Sequence, residues 1–126
     1  MRAGMYVEID GATYRATGNE LPFLVFAPAQ EPRPDGFAAE PDGGWTRLVD
    51  KSEFQRAYVV RTTARWRDWT VRVNRVEDGI AHWRYYGDGL PADDSRVSRV
   101  GLFEWLGRTP VEELDDVVET VDEMAL

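Results

Sequence analysis

The sequence predicts a mainly β protein made of two related copies of about sixty residues each. Short β-rich runs alternate along the chain with turns rich in Gly, Pro and Asp. Between residues 58 and 76, apolar and polar side chains alternate in the way that is typical of half-buried strands. A stretch that begins at Trp45 recurs sixty positions later, at Trp105. Each copy must then bury its strands alone or share a core with its twin.

Two alignments support this duplication. Residues 45–58 (WTRLVDKSEFQRAY) match residues 105–118 (WLGRTPVEELDDVV). Residues 12–16 (ATYRA) match residues 69–73 (WTVRV) at a spacing of fifty-seven, and a short loop insertion reconciles the two spacings. The predicted domains are a first β-rich copy, 1–57, and a second copy that carries an acidic C-terminal segment, 58–126. A single compact domain is the alternative.

The first copy opens with a predicted β-hairpin over residues 5–17. Two β-rich runs flank Asp10-Gly11, a dipeptide suited to the positive φ angles of a tight turn. The apolar run FLVFA at residues 23–27 is bounded by prolines and therefore predicts a buried strand.

Residues 28–44 are rich in Pro, Gly and Asp, and predict a loop. A structureless loop of this length is uncommon in a compact domain, so we expect it to be functional or mobile. Phe37 in its middle is a candidate anchor for a partner; the alternative is that it folds back on the core.

The strongest β pattern follows a strand at 45–50 and a short helical turn capped by Ser52. Two strands are predicted in residues 58–76, joined by a turn near Arg67-Asp68. The face predicted to be buried carries Val60, Thr62, Ala64, Trp66, Trp69 and Val71. The opposite face is predicted to carry Arg61, Arg65 and Arg72. Further strands are predicted at 80–86 and around 100–106, on either side of a loop at 87–95.

The last segment fits either a helix or a strand. Thr109, Pro110 and Glu112 form a good helix start. The duplication instead predicts a turn at 110–116 followed by a strand, and we favour that interpretation. In both cases Leu114 and Val118 are expected to supply the apolar side of the segment, so that an aspartate at either position would unfold the protein.

Each copy then has three or four strands, a turn of helix and a closing strand. This order and size resemble an SH3-like small barrel, a resemblance that implies an adaptor-type binding module. One sheet with a pseudo-twofold axis is equally compatible with the pattern.

The composition argues against an enzyme. Without Cys the chain has no thiol nucleophile, disulfide or thiolate metal site. His82 is the single histidine and is predicted in mid-strand, and no serine has a triad or elbow context. We therefore expect no catalytic residue, no metal and no cofactor. No apolar run approaches the roughly 20 residues of a membrane span, and the start has no signal-peptide pattern, so a cytoplasmic protein is expected.

The charge is unevenly distributed. Residues 1–108 are nearly neutral, whereas residues 109–126 hold seven carboxylates and no base. A concentrated negative field repels nucleic acid and attracts basic partners. We predict a protein partner with a basic surface, bound through Glu112, Glu113, Asp115, Asp116, Glu119 and Phe37. A merely solubilising face is the alternative.

The run VDKSEFQRAYVVRTTARWR at residues 49–67 is similar to small acidic actinobacterial proteins of the toxin-immunity kind. That resemblance implies a non-catalytic protein that neutralises a toxin, and it transfers no functional residue. The alternatives are an SH3-like adaptor and a nucleic-acid binder that uses the arginine-rich hairpin. We expect no nucleic acid, because the tryptophans fall on the face opposite the arginines, which can pair with the acidic terminus.

Overall fold

The computed structural model describes residues 1–18, 22–41, 43–90 and 94–126. The described chain is mainly β, as predicted, with antiparallel pairings. Its strands are β1 (Gly4–Ile9), β2 (Ala12–Thr17), β3 (Phe23–Ala27), β4 (Ala38–Ala39), β5 (Trp45–Val49), β6 (Arg56–Trp66), β7 (Trp69–Glu77), β8 (Ile80–Tyr86), β9 (Val97–Gly101), β10 (Glu104–Pro110) and β11 (Leu114–Glu123). Two 3₁₀ turns, η1 (Lys51–Glu53) and η2 (Val111–Glu113), precede β6 and β11.

The chain divides into two compact units. The N-terminal unit contains Met5–Val59 and Asp122–Leu126, and the C-terminal unit contains Met1–Gly4 and Val60–Val121. The division near residue 59 lies close to the predicted copy boundary, but each chain end belongs to the unit that the duplication did not assign to it. The physical reasons are local hydrogen bonds: Met124 N–H donates to the Ala57 carbonyl, and the Thr62 hydroxyl donates to the Arg2 carbonyl.

The N-terminal unit has the strand order β4-β5-β3-β2-β1, followed by the start of β6. Its first hairpin turns at Asp10-Gly11, where both residues have positive φ, so the predicted hairpin is confirmed. The predicted strand at residues 23–27 is also confirmed. Val7, Val25 and Val49 are almost fully buried and form the centre of this unit's core.

The predicted anchor Phe37 is a core residue of this unit. Its side chain is 5% exposed and its ring centroid lies 5.2 Å from that of Tyr14. β4 follows immediately and pairs with β5, so part of the predicted 28–44 loop is strand. The alternative in which Phe37 folds back on the core is the one observed: its side chain belongs to the buried apolar cluster, and the residues that follow it pair with β5. It is therefore not an accessible partner-binding residue here.

The C-terminal unit has the strand order β6-β7-β8-β10-β9, and β11 also pairs with β6. The predicted alternation in β6 is confirmed, because Val60, Thr62, Ala64 and Trp66 are buried while Arg61 and Arg65 are exposed. Trp66 packs against Trp83 at 5.0 Å between ring centroids. Val71 is buried as predicted, but Trp69, at the start of β7, is only partly buried.

The ambiguous last segment forms a turn followed by a strand, and the helix alternative is wrong. η2 ends at Leu114, which is buried, and β11 continues from there. Every later residue of β11 is exposed, including Val118 at 58%. The prediction that Val118 faces the core is therefore wrong. β11 is paired with β6 along its edge, but ladder pairing does not cover the faces of a strand, and the Val118 side chain stays exposed.

Candidate partner-binding strand

β11 has one paired edge and one open edge. Its only strand partner in the described chain is β6. In an antiparallel ladder, residues alternate between those that bond to the neighbour and those that face away from it. Met124, directly after the strand, donates its N–H to Ala57 at 2.8 Å. The residues two, four and six positions before Met124 face β6 in the same way. The N–H groups of Val117, Glu119 and Val121, which alternate with those residues, therefore face the open edge.

Three valines lie exposed on this strand among carboxylates. Val117, Val118 and Val121 are each more than two-fifths exposed. An exposed strand of high β propensity with free backbone groups is a template for pairing with another chain. The interspersed acidic residues oppose indiscriminate pairing, because charged side chains on an edge repel like-charged strands. An edge of this kind is selective for strands of complementary charge.

The structure pairs several of the predicted site carboxylates with arginines of the body. Glu113 lies 2.5 Å from Arg96, and Asp116 lies 3.3 Å from Arg65. Glu119 accepts a hydrogen bond from the backbone N–H of Arg2. In the N-terminal unit, two nitrogens of Arg56 donate to Glu123, which lowers the pKa of that carboxyl. The arginines of the body therefore neutralise part of the negative charge of the C-terminal segment, as the alternative interpretation of the sequence expected.

Two predicted site residues stay open to solvent. Glu112 in η2 and Asp115 in β11 are exposed, and no ion pair is recorded for either one in the part of the chain that the structure describes. Glu112 and Asp115 therefore keep an exposed negative charge at η2 and at the start of β11. Exposed charges of this kind steer a charged partner more than they hold it.

Arg96 fixes η2 to the segment before β9. It donates hydrogen bonds to Asp94 and to Glu113. Hydrogen bonds from the Arg96 side chain and backbone lower the pKa of Asp94 to about 2, and the two carboxylates raise the pKa of Arg96. The turn that introduces β11 is therefore held by charge.

The arginine-rich hairpin lacks the exposed aromatic residues that a single-stranded nucleic-acid surface uses. Trp66 is fully buried, and the Arg67 guanidinium lies 4.3 Å from its ring centroid while also pairing with Asp94. Arg61, Arg65 and Arg72 are exposed on the opposite face, as predicted.

An apolar hairpin tip, which was not predicted from the sequence, lies between β9 and β10. Leu102 and Phe103 form the turn between β9 and β10 and are 72% and 54% exposed. Tyr86 at the end of β8 is also exposed, and the Phe103 carbonyl accepts a hydrogen bond from the next residue, Gly87. Two apolar residues in a turn, where polar residues normally dominate, are the sequence feature that identifies this tip.

Within the described residues, no group of three or more His, Asp or Glu side chains could hold a metal ion. In the same part of the chain, no helix has the length and apolar character needed to cross a membrane. Comparisons with protein-family models, with curated proteins and with solved structures give no match.

Proposed function

We propose that the protein is a non-catalytic protein-binding module that accepts a basic, extended segment of a partner protein as an additional strand along β11. The observation that carries this proposal is the exposure of the strand. From Asp115 to Glu123 every residue is exposed, and the only described strand that pairs with β11 is β6. Strand addition supplies main-chain hydrogen bonds for affinity and side-chain contacts for specificity.

The pairing of β11 with β6 indicates what kind of segment fits. β6 alternates apolar residues with arginines, and Arg65 meets Asp116 at 3.3 Å. An incoming strand at the open edge would encounter the same mixture of valines and carboxylates. Apolar residues alternating with Arg or Lys are therefore the complementary pattern, since opposite charges on adjacent strands stabilise the pairing and like charges destabilise it.

A basic partner protein is the class that this edge fits, and toxin neutralisation is the specific form suggested by the sequence resemblance. In that form the protein would act in the cytoplasm, and the open carboxylates Glu112 and Asp115 would accelerate the encounter. An SH3-like adaptor is the alternative within the same class, and it would use the same edge for an extended peptide.

We also infer that the two units are related copies. Both contain a hairpin, a third strand, a short strand and a strand that ends in a 3₁₀ turn, in the same order. η1 and η2 lie sixty positions apart, and each ends at a buried apolar residue, Phe54 or Leu114. SH3-like barrels and one pseudo-twofold sheet both remain proposals for the architecture that two such copies form.

The test uses the full chain and a synthetic peptide with the sequence of residues 58–66, YVVRTTARW. A matched peptide replaces both arginines with glutamate. We expect the basic peptide to bind, to bind more weakly at high salt, and to protect the amides of Val117, Glu119 and Val121 from hydrogen exchange. The acidic peptide should not bind.

Two proline variants localise the binding. Val121→Pro removes a donor on the open edge, and an edge strand tolerates proline there. It should abolish peptide binding and leave the melting temperature nearly unchanged. Thr120→Pro removes a donor that faces β6 and should lower the melting temperature. Equal affinity for the two peptides, or unchanged binding by the Val121→Pro variant, would contradict the proposal.

A further inference from the structure

A cavity of about 330 Å³ opens in the C-terminal unit beside β8 and β10. Its polar lining comes from His82, Arg96, Arg108, Ser95, Ser98 and Asn74. Trp83, Leu106 and Gly107 complete the wall, and none of these lining residues is a carboxylate. In a chain of net charge −8, a cavity lined by two arginines, a histidine and two hydroxyls is an exception to the overall charge.

Strand register brings the basic side chains into one row. His82 on β8 is the cross-strand partner of Arg75 on β7 and of Arg108 on β10. Directly opposed residues share a face of the sheet, so the three side chains lie side by side. Nη2 of Arg75 lies 3.5 and 3.4 Å from the two ring nitrogens of His82. The backbone N–H of Arg108 donates to the backbone carbonyl of Arg96 at 3.1 Å, and Arg96 lines the same cavity.

Carboxylates neutralise part of this row but leave one end open. Glu77 pairs with Arg75 and, with Asp78, lines an adjoining space of about 690 Å³. Asp94 and Glu113 hold Arg96. The side chain of Arg108 is exposed, and no carboxylate partner is recorded for it in the described part of the chain. The cavity therefore presents a guanidinium whose planar fork can bind an anion.

The arrangement of donors favours a tetrahedral anion over a carboxylate. One arginine fork satisfies a carboxylate, whereas a phosphate group presents three acceptor oxygens and a charge near −2. Here donors converge from three elements: Arg108 on β10, His82 on β8, and Ser95 and Ser98 before and on β9. The apolar side chain of Leu106, which shares a face of β10 with Arg108, would contact whatever carries the phosphate. The volume lies at the small end of ligand sites, which limits that carrier to a few atoms.

We infer that this cavity binds the phosphate group of a small phosphomonoester, with Arg108 as its principal ligand. The site is independent of β11 and of the proposed strand addition. Arg96 contributes positive charge while its hydrogen bonds to Asp94 and Glu113 keep it in place. Arg75 lies against the imidazole of His82 and adds positive charge beside the phosphate.

The binding test uses the full chain with phenyl phosphate, inorganic phosphate, phenol and benzoate as probes. Calorimetry and the NMR resonances of the tryptophan indoles measure the binding. Phenyl phosphate should bind most tightly, inorganic phosphate more weakly, and phenol and benzoate not measurably. Absence of phenyl phosphate binding, or benzoate binding of equal strength, would overturn the inference. A small molecule and the end of a nucleic acid are the two sources of such a phosphate, and a 5′-phosphorylated thymidine oligonucleotide distinguishes them. Tighter binding of that oligonucleotide would overturn the small-molecule assignment.

Two arginine variants distinguish a specific phosphate-binding site from a general effect of positive charge on phosphate affinity. Arg108→Gln should weaken phenyl phosphate about tenfold or more, because it removes a charge-assisted bidentate contact. Arg72→Gln is the matched control, since Arg72 on β7 is, like Arg108 on β10, an exposed strand arginine but does not line the cavity. It should change affinity by less than about twofold, the effect of a screened distant charge. Equal losses in the two variants would contradict a built site, and circular dichroism confirms that both remain folded.

Discussion

Strands β6 and β11 each begin after a 3₁₀ turn that is closed in the same way. In η1 the N–H of Phe54 donates to the Lys51 carbonyl, and in η2 the N–H of Leu114 donates to the Val111 carbonyl. Both apolar residues are buried to the same extent, with 7% of the side chain exposed. Beyond that point the strands diverge: alternate residues of β6 are buried, whereas β11 is exposed throughout.

The difference comes from the neighbours of each strand. β6 pairs with β1, β7 and β11, whereas β11 pairs only with β6 among the described strands. One face of β6 is also buried, whereas no residue of β11 after Leu114 is buried on either face. The comparison indicates that β11 forms as a regular strand but lacks a second neighbouring strand. We assign the place of that second neighbour to a segment of a partner protein.

The largest contrast is expected between buried and exposed apolar side chains of the two strands. Trp66→Ala on β6 should lower the free energy of unfolding by about 3–5 kcal/mol, because it leaves a cavity in the core. Val118→Ala on β11 should change it by less than about 0.5 kcal/mol, as for an ordinary surface substitution. Chemical denaturation measures both. A large loss for Val118→Ala would show that β11 is covered in solution.

The two turns should respond alike where the two strands do not. Phe54→Ala should cost about 3–5 kcal/mol and Leu114→Ala about 2–5 kcal/mol, since each truncates a buried anchor at the end of a 3₁₀ turn. The same denaturation experiment compares them. A loss at only one position would break the equivalence of the turns and weaken the case for two related copies. Val118→Asp, in contrast with Leu114→Asp, should leave the protein folded.

Sequence periodicity predicted β6 well and β11 badly. Residues 58–66 alternate with a period of two, so the buried face follows directly from the pattern. In β11 the adjacent pair Val117-Val118 breaks that period, and no single face of the strand is apolar. The prediction that Val118 supplies an apolar side of the segment came from a helical spacing of apolar residues, and the chain does not form that helix. The turn and strand were predicted from the proposed duplication, but the absence of a second neighbouring strand was not.

The negative charge of the candidate site could be predicted from the sequence, but the arginines that pair with its carboxylates could not. The carboxylates of residues 109–126 are evident in the sequence, whereas the arginines that pair with them lie far away along the chain. Arg65 and Arg96 reach Asp116 and Glu113 only because strands bring them together. The burial of Phe37 was unpredictable for the same reason, since its contact with Tyr14 depends on tertiary packing.

A smaller effect is expected from the charges that hold the turns. The pKa of Asp94 falls from 3.8 to about 2 through hydrogen bonds with Arg96, and the pKa of Asp50 is lowered by the backbone N–H of Ser52. A lowered folded-state pKa contributes stability above the unfolded pKa, and this stability is lost as the pH falls through the folded pKa. The melting temperature should therefore fall between about pH 4 and pH 2.

Asp94→Asn is the control for this acid dependence. The variant should start from a lower melting temperature at pH 6 and lose less of it on acidification, because its amide does not titrate. An unchanged slope from pH 4 to pH 2 would contradict a stabilising role for the Asp94–Arg96 pair. The measurement is thermal denaturation followed by circular dichroism at fixed ionic strength.

The most direct test of the open edge is hydrogen exchange measured amide by amide in the free protein. In β11 the amides of Val118 and Thr120, which face β6, should exchange about tenfold or more slowly than those of Val117, Glu119 and Val121. In residues 62–66 of β6, which lie between two partner strands, neighbouring amides should all be protected. Alternating protection in β11 with uniform protection in β6 is the predicted result. Uniform protection along β11 would mean that its second edge is already paired, and would contradict the account.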